Sequence, residues 1–129
     1  MILMTGGAFQ GKLECAKELW KANHEGEPVI LEGKDCSLEE LQKADIFSHM
    51  TFWVRRMMEQ DMDYEAELNR MIRQNPDIIL ESQEIGCGLV PIDAFDRRYR
   101  EAHGRLCCRL AEQAEAVYRV SCGCAVRIK

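Results

Sequence analysis

The chain has 129 residues, 47% of them hydrophobic and 30% charged, with a formal net charge of -5 at pH 7. This length and composition predict one domain over residues 1–129, with one core, rather than a multidomain protein. The negative charge, without a basic block, argues against a nucleic-acid partner. No apolar run has the length of a membrane span or a signal-peptide core, so we expect a cytoplasmic protein.

The amino-terminal part of the chain predicts alternating strands and helices. Residues 1–5 form a short apolar run, typical of a strand buried on both faces of a parallel sheet. Apolar residues then recur with helical spacing over 11–23, and residues 29–31 fit a second short strand. Ser37 and Glu40 have the spacing of a capping box, which predicts the start of a small helix.

The rest of the chain continues this alternation. Residues 50–72 predict one long or two shorter helices, with an interruption near 61–63. The further predicted elements are a strand over 76–82, a loop over 84–91, a helix capped by Asp93 and reaching about Ala114, and two closing strands over 117–120 and 125–128. This order of elements is typical of the α/β class.

A glycine-rich loop follows the first predicted strand. The segment matches the pattern G-x-x-x-x-G-K, and its phosphate-contacting candidates are Gly6, Gly7, Ala8, Phe9, Gln10, Gly11, Lys12 and Leu13. Between a buried strand and a helix, such a loop turns backbone N–H groups toward a phosphate, while Lys12 reaches the terminal phosphates. Leu13 replaces the Ser or Thr whose hydroxyl helps to hold Mg²⁺. Alternatively, the glycines only make a tight turn and Lys12 lies in solvent.

Three other groups of residues are candidates for a functional role. Glu84 follows a predicted strand, where α/β sheets collect ligand-contacting side chains, although it also fits a solvated loop carboxylate. Arginines on the last helix either meet phosphates or a neighbouring subunit, or, as we favour, pair with nearby acids; they are Arg97, Arg98, Arg100 and Arg105. The seven cysteines lack disulfide or zinc spacing, which indicates reduced thiols and predicts no metal site.

Several segments together resemble the bifunctional cobinamide kinase / cobinamide-phosphate guanylyltransferase family. In the first half these are Met1-Ile-Leu-Met-Thr-Gly-Gly-Ala8, Gly11-Lys12, Ala16-Lys-Glu-Leu19 and Thr51-Phe-Trp-Val54. In the second half they are Asp77-Ile-Ile-Leu80, Glu84-Ile-Gly-Cys-Gly-Leu-Val-Pro91, Arg97-Arg-Tyr-Arg100, Gly104-Arg105, Leu110-Ala111 and Val126-Arg-Ile-Lys129. The second half is the more specific, because its segments follow the family's order nearly without gaps.

The resemblance implies a three-layer P-loop NTPase-like (RecA-like) domain with a mainly parallel sheet. It also implies transfer of a phosphoryl or nucleotidyl group from GTP or ATP to cobinamide. Lys12 would bind the phosphates, and Glu84 would orient the acceptor or the water of the metal. Relatives that assemble as trimers imply a homo-oligomer here.

Three departures from the family pattern bear on activity. Leu13 lacks the loop hydroxyl, and Ser48 stands where the family has the Asp that binds Mg²⁺, so metal-dependent phosphoryl transfer is weakened. No histidine fits the guanylylated position, because His24 and His49 lie in other segments, so guanylyl transfer is expected to be lost. The alternative is a non-catalytic relative that binds nucleotide, corrinoid or a protein partner. A different small P-loop kinase is a weaker alternative, since no arginine-rich lid is recognisable.

Overall fold

The computed structural model describes residues 1–37 and 39–129, which form an α/β fold with a six-stranded sheet. The strands are β1 (Ile2–Gly6), β2 (Ile30–Glu32), β3 (Ile46–Ser48), β4 (Ile79–Glu81), β5 (Ala116–Ser121) and β6 (Cys124–Arg127). The helices are α1 (Lys12–Lys21), α2 (Met50–Glu59), α3 (Tyr64–Gln74) and α4 (Ala94–Gln113), with a 3₁₀ helix at Glu40–Lys43. The predicted α/β class is confirmed.

The strand order is β2-β3-β4-β1-β5-β6. All neighbouring pairs are parallel except β5 and β6, which form an antiparallel hairpin. Because parallel strands end at the same edge of a sheet, this order brings the ends of β3, β4 and β1 together. The glycine loop leaves β1 at that edge.

Helices cover both faces of the sheet. On one face, Leu3, Phe47 and Leu80 belong to a core that includes Trp53 of α2 and Leu110 of α4. On the other face, Met4, Ile46 and Ile79 pack with Cys15 and Ala16 of α1. Successive residues of a strand point to opposite faces, so strands covered on both sides need continuous apolar runs. This requirement explains why residues 2–4 are apolar without alternation.

The predicted helical stretch over 50–72 is two helices, α2 and α3, separated at residues 60–63.

The capping box is present, because the Ser37 N–H donates to Glu40 Oε2 at 2.8 Å and the Glu40 N–H donates to Ser37 Oγ at 3.4 Å. Leu38 of the predicted small helix lies outside the described residues. Strand β3, unlike the equally short β2 and β4, was not predicted. No helix in the described part of the chain has the length and apolarity to cross a membrane.

Candidate functional site

Two glycines shape the loop between β1 and α1. Gly6 has φ +150°, and a Cβ there would lie 2.3 Å from the carbonyl oxygen of Val120 in β5. Gly11 has φ +82° and immediately precedes the first residue of α1. A side chain would clash at the first position and strain the backbone at both. The loop therefore depends on these two glycines for its path from the sheet into the helix.

The tip of the β5–β6 hairpin binds the glycine loop through hydrogen bonds. The Cys122 N–H donates to the side-chain oxygen of Gln10 at 2.6 Å, and the Gly123 N–H donates to the backbone oxygen of Gln10 at 2.9 Å. The Cys15 thiol donates to the Gly123 carbonyl at 3.3 Å. These contacts fix the middle of the loop and the first turn of α1 against the same hairpin.

Lys12 is buried, with 7% of its surface exposed. Its Nζ donates to the Gly7 carbonyl oxygen at 2.9 Å and lies 3.3 Å from Oε1 of Glu81. The alternative in which Lys12 lies in solvent is therefore wrong. The ammonium group is folded back into the concave side of the loop, where a lysine that reaches bound phosphates must lie.

Glu81 is the buried carboxylate of this site, with 3% of its surface exposed. Its Oε2 accepts hydrogen bonds from Ser48 Oγ at 2.9 Å and from the backbone N–H of His49 at 2.7 Å. With Lys12 on Oε1, both carboxylate oxygens are satisfied, which a buried charge requires. The side chain joins the ends of β3 and β4 to the glycine loop.

His49 connects this network to β2. The residue has φ +54°, a left-handed conformation that is uncommon outside glycine, and it immediately precedes α2. Its Nδ1 lies 2.8 Å from Glu32 Oε2 and 2.9 Å from Ser48 Oγ. A chain of polar contacts therefore runs from Glu32 through His49 and Ser48 to Glu81 and Lys12.

A cavity of about 290 Å³ lies on the concave side of the loop. The predicted phosphate-contacting residues 8–13 line it. From other elements it receives Lys34, His49, Phe52, Glu81 and Gln83. The amino-terminal ends of α1 and α2 both open onto this cavity, and helix amino termini favour negatively charged ligands.

Glu84 lies outside this cavity. Its backbone N–H donates to the Gly6 carbonyl at 3.0 Å, and its side chain forms an exposed ion pair with Arg119 at 3.3 Å. It lines a neighbouring cavity together with Gly7 and Gln10. The structure therefore separates the two residues predicted as catalytic, with Lys12 inside the loop and Glu84 beside its outer edge.

The arginines of α4 have two kinds of partner. Arg105 pairs with Glu101, as the acid-pairing interpretation predicted. Arg97 instead donates to the Pro91 carbonyl at 3.1 Å, and Arg100 donates to the Leu89 carbonyl at 2.9 Å and to the Gly86 carbonyl. Two of the arginines therefore bind the backbone of the loop over 84–91, which the sequence analysis did not predict.

A third cavity, of about 450 Å³ and mostly apolar, lies between the loop over 84–91, α4 and the sheet. His103 is at its buried side, 2.9 Å from Ser82 Oγ, and burial lowers the pKa of its imidazole to about 4. Burial also raises the pKa of the Cys107 thiol, so this sulfur is protonated at neutral pH and is a poor nucleophile. Among the described residues, no group of three or more His, Cys, Asp and Glu side chains is arranged to hold a metal ion.

The fold and this site define a class: an α/β protein whose glycine loop joins the first parallel strand to a helix and faces a buried lysine and glutamate. Residues 33–128 match the model of the family described as CobU, cobinamide kinase / cobinamide phosphate guanyltransferase. The chain belongs to this family. It is also 33% identical over 79 residues to the bifunctional adenosylcobalamin biosynthesis protein CobU of Salmonella typhimurium.

The match to the Salmonella protein covers 60% of this chain and 44% of that protein. The family match includes the loop over 84–91 and helix α4, the segments on which the resemblance depended most. It begins at residue 33, so the glycine loop lies outside it. The geometry of that loop is therefore an independent observation about the amino-terminal part of the chain.

Glu81 and His49 were not predicted as site residues. Glu81 ends a predicted buried strand, and polar residues at the carboxyl ends of strands are a general signal for ligand sites in α/β sheets. That signal was applied to Glu84 instead, which stands three positions later. His49 had no recognisable motif, because its partner Glu32 comes from a different strand.

Proposed function

We propose that this chain is a nucleotide-binding protein of cobalamin biosynthesis with a three-layer P-loop NTPase-like (RecA-like) fold. GTP or ATP would bind with its phosphates in the glycine-loop cavity. The observation that carries this proposal is the buried ammonium group of Lys12, held on the concave side of the loop at the amino terminus of α1. Backbone N–H groups, the helix terminus and a lysine together form the usual phosphate site of such loops.

The reaction proposed for this site is phosphoryl transfer to cobinamide. A hydroxyl oxygen of the acceptor would form the new bond to the terminal phosphorus and lose its proton to water, and the bond from that phosphorus to the bridging oxygen would break, which releases the nucleoside diphosphate. Lys12 would bind the phosphate oxygens, and Glu84, next to Gly6 and Gly7, would orient the acceptor. Guanylyl transfer is proposed to be lost, because no histidine matches the family's guanylylated position.

The donor atoms near Lys12 fit Mg²⁺ better than the sequence suggested. Leu13 has no oxygen to offer, but Ser48 Oγ and the Glu81 carboxylate adjoin each other at 2.9 Å and lie beside the lysine. Mg²⁺ prefers oxygen ligands and is usually bound by one or two protein groups together with phosphates and water. Glu81 and Ser48 would therefore hold the ion, which would neutralise the phosphate charge when bound.

The second candidate is a non-catalytic relative that binds nucleotide, corrinoid or a protein partner. Two observations favour it, and they concern the lysine and the loop hydroxyl on which turnover depends. Lys12 is already paired with Glu81, and Leu13 places an apolar side chain where the loop hydroxyl belongs. Binding without turnover fits this arrangement.

Calorimetry with GTP and ATP, with and without Mg²⁺, followed by a turnover assay with cobinamide, tests these proposals. We expect binding at a single site, lost in Lys12→Ala, and Mg²⁺-dependent formation of phosphorylated cobinamide. Lys21→Ala is the matched control, because this exposed lysine lies on the same helix, α1, but does not line the cavity. Nucleotide binding without turnover would support the non-catalytic candidate, whereas no binding to either nucleotide would contradict both.

We also propose that the chain forms a homo-oligomer, a trimer by resemblance to the family. The loop before α4 supports this proposal, because Leu89, Val90 and Ile92 are 97%, 71% and 96% exposed. Apolar side chains grouped on one surface usually mark a contact with another molecule. Sedimentation equilibrium should give a multiple of the monomer mass, and Leu89→Glu should reduce it.

A further inference from the structure

The position that lacks the family's carboxylate lies beside a buried carboxylate on the next strand. Strands β3 and β4 pair in parallel with Phe47 opposite Leu80, so the next residues along the two strands, Ser48 and Glu81, are neighbours. Ser48 Oγ donates to Glu81 Oε2 at 2.9 Å. The negative charge absent from the end of β3 is therefore present at the end of β4, one strand closer to β1.

This carboxylate is held by groups that belong to the phosphate site. The His49 N–H and the Ser48 hydroxyl bind one oxygen, while the Lys12 ammonium lies 3.3 Å from the other. Both members of the ion pair are less than one tenth exposed. The charge that should attract a phosphate is consequently neutralised inside the protein when no ligand is bound.

The Lys12–Glu81 ion pair should weaken the binding of an anion alone, but not the binding of an anion that arrives with a divalent cation. A free phosphate that approaches Lys12 also approaches Glu81, and at such short range two like charges repel strongly in a buried site. A divalent cation removes that repulsion by giving the carboxylate a new partner, which leaves the ammonium for the phosphate. Lys12 and Glu81, which neutralise each other, would then bind separate ligands: the phosphate and the cation, respectively.

We propose that Glu81 couples nucleotide binding to a divalent cation in this chain. Without the cation, Glu81 neutralises Lys12 and opposes the phosphates; with it, Glu81 and Ser48 hold the cation and Lys12 binds the phosphates. This inference rests on the proposed nucleotide site, but it does not require turnover. It assigns to Glu81, at the end of β4, the cation-binding role of the family's carboxylate, which is absent from the end of β3.

The test is the affinity for GTP in Mg²⁺ and in EDTA, measured by calorimetry on the wild type and on Glu81→Gln. Gln keeps the shape of the side chain and an oxygen to accept from the His49 N–H. The wild type should bind GTP about 10-fold or more tightly with Mg²⁺ than without it, since screening one buried like-charge contact changes affinity by at least that factor. In Glu81→Gln, the affinity in EDTA should rise and the effect of Mg²⁺ should fall below about 3-fold.

Two further variants complete the experiment. Glu18→Gln removes an exposed carboxylate on the same helix, α1, that does not line the cavity, and it should keep the Mg²⁺ dependence of the wild type. Ser48→Asp combined with Glu81→Gln returns the carboxylate to β3, and it should restore that dependence. Thermal unfolding of each variant checks that the protein is folded before binding is measured.

Three results would overturn the inference. Equal affinity of the wild type in Mg²⁺ and EDTA would contradict it, as would a folded Glu81→Gln variant with undiminished Mg²⁺ dependence. A folded double variant that stays independent of Mg²⁺ would also contradict it. In each of these cases GTP still binds, so the proposed nucleotide site survives, whereas absence of GTP binding by every protein would refute that site as well.

Discussion

Replacement of His103 by Gln should remove a specific part of the pH dependence of stability. His103 is 2% exposed, and its Nε2 lies 2.9 Å from Ser82 Oγ. Burial lowers the pKa of the imidazole from 6.5 to about 4, because the charged form loses its hydration. The folded protein therefore keeps His103 neutral over a pH range in which the unfolded chain protonates it.

The sign and size of the effect follow from these two pKa values. Between pH 6.5 and about 4 the unfolded state binds more protons than the folded state, so stability decreases as the pH falls through this window. Each pKa unit corresponds to about 1.4 kcal/mol, so the complete loss is about 3 kcal/mol. Above pH 6.5 the group is neutral in both states and contributes no slope.

Urea unfolding at several pH values from 7 to 4 measures this contribution. The free energy of unfolding of the wild type should fall more steeply with decreasing pH than that of His103→Gln, by about 3 kcal/mol over the window. Carboxylates add their own pH dependence to both proteins, so the difference between the two curves is the quantity to compare. His24→Gln, at an exposed histidine, is the control and should retain the slope of the wild type. Parallel curves for the wild type and His103→Gln would refute the reasoning.

Three further substitutions test other contacts of the fold. Gly6→Ala should destabilise the protein by about 2 kcal/mol or more in urea unfolding, because its Cβ would lie 2.3 Å from a carbonyl oxygen of β5. Gly7→Ala should change stability far less, because its Cβ would make only an ordinary contact of 3.5 Å with the Gln10 side chain. Tyr99→Phe removes a buried hydrogen bond of 2.7 Å to the carbonyl of Thr51, and the expected loss is about 1 to 2 kcal/mol by the same measurement. Arg119→Ala breaks an ion pair in which the arginine is 60% exposed, so thermal unfolding should change by an amount equivalent to less than about 1 kcal/mol. A large loss for this last variant would show that the pair supports the loop rather than lying in solvent.

Much of the fold could be predicted because its signals are local. The apolar run at residues 1–5 and the two glycine positions define the β1–loop–α1 unit, and each of these features has a physical cause in neighbouring residues. The break between α2 and α3 and the capping hydrogen bonds of Ser37 and Glu40 are equally local. Strand β3 was missed for the opposite reason, since its three residues become a strand only by pairing with β2 and β4.

The candidate site could be predicted only in part. The loop residues and Lys12 could be selected as a candidate phosphate site, because the pattern that positions them is contiguous in the sequence; that role stays a prediction. The burial of Lys12 could not be found in the same way, since it depends on Glu81, which comes from a distant part of the chain. Glu84 was selected instead because it follows the strand and precedes glycines, but its side chain pairs with Arg119 on the outer side of the loop.

The sequence by itself determined the order of the elements other than β3, the glycine loop and the family, through contiguous segments that include the loop over 84–91 and the arginines of α4. The tertiary structure alone decided which charges meet at the glycine loop. Glu81 faces Lys12 because β4 lies between β3 and β1, and it accepts from Ser48 because the parallel register makes these two residues neighbours. Strand order and register arise from pairing between remote segments. The sequence alone therefore does not show that a carboxylate at the end of β4 lies beside the position at the end of β3 where the family has one.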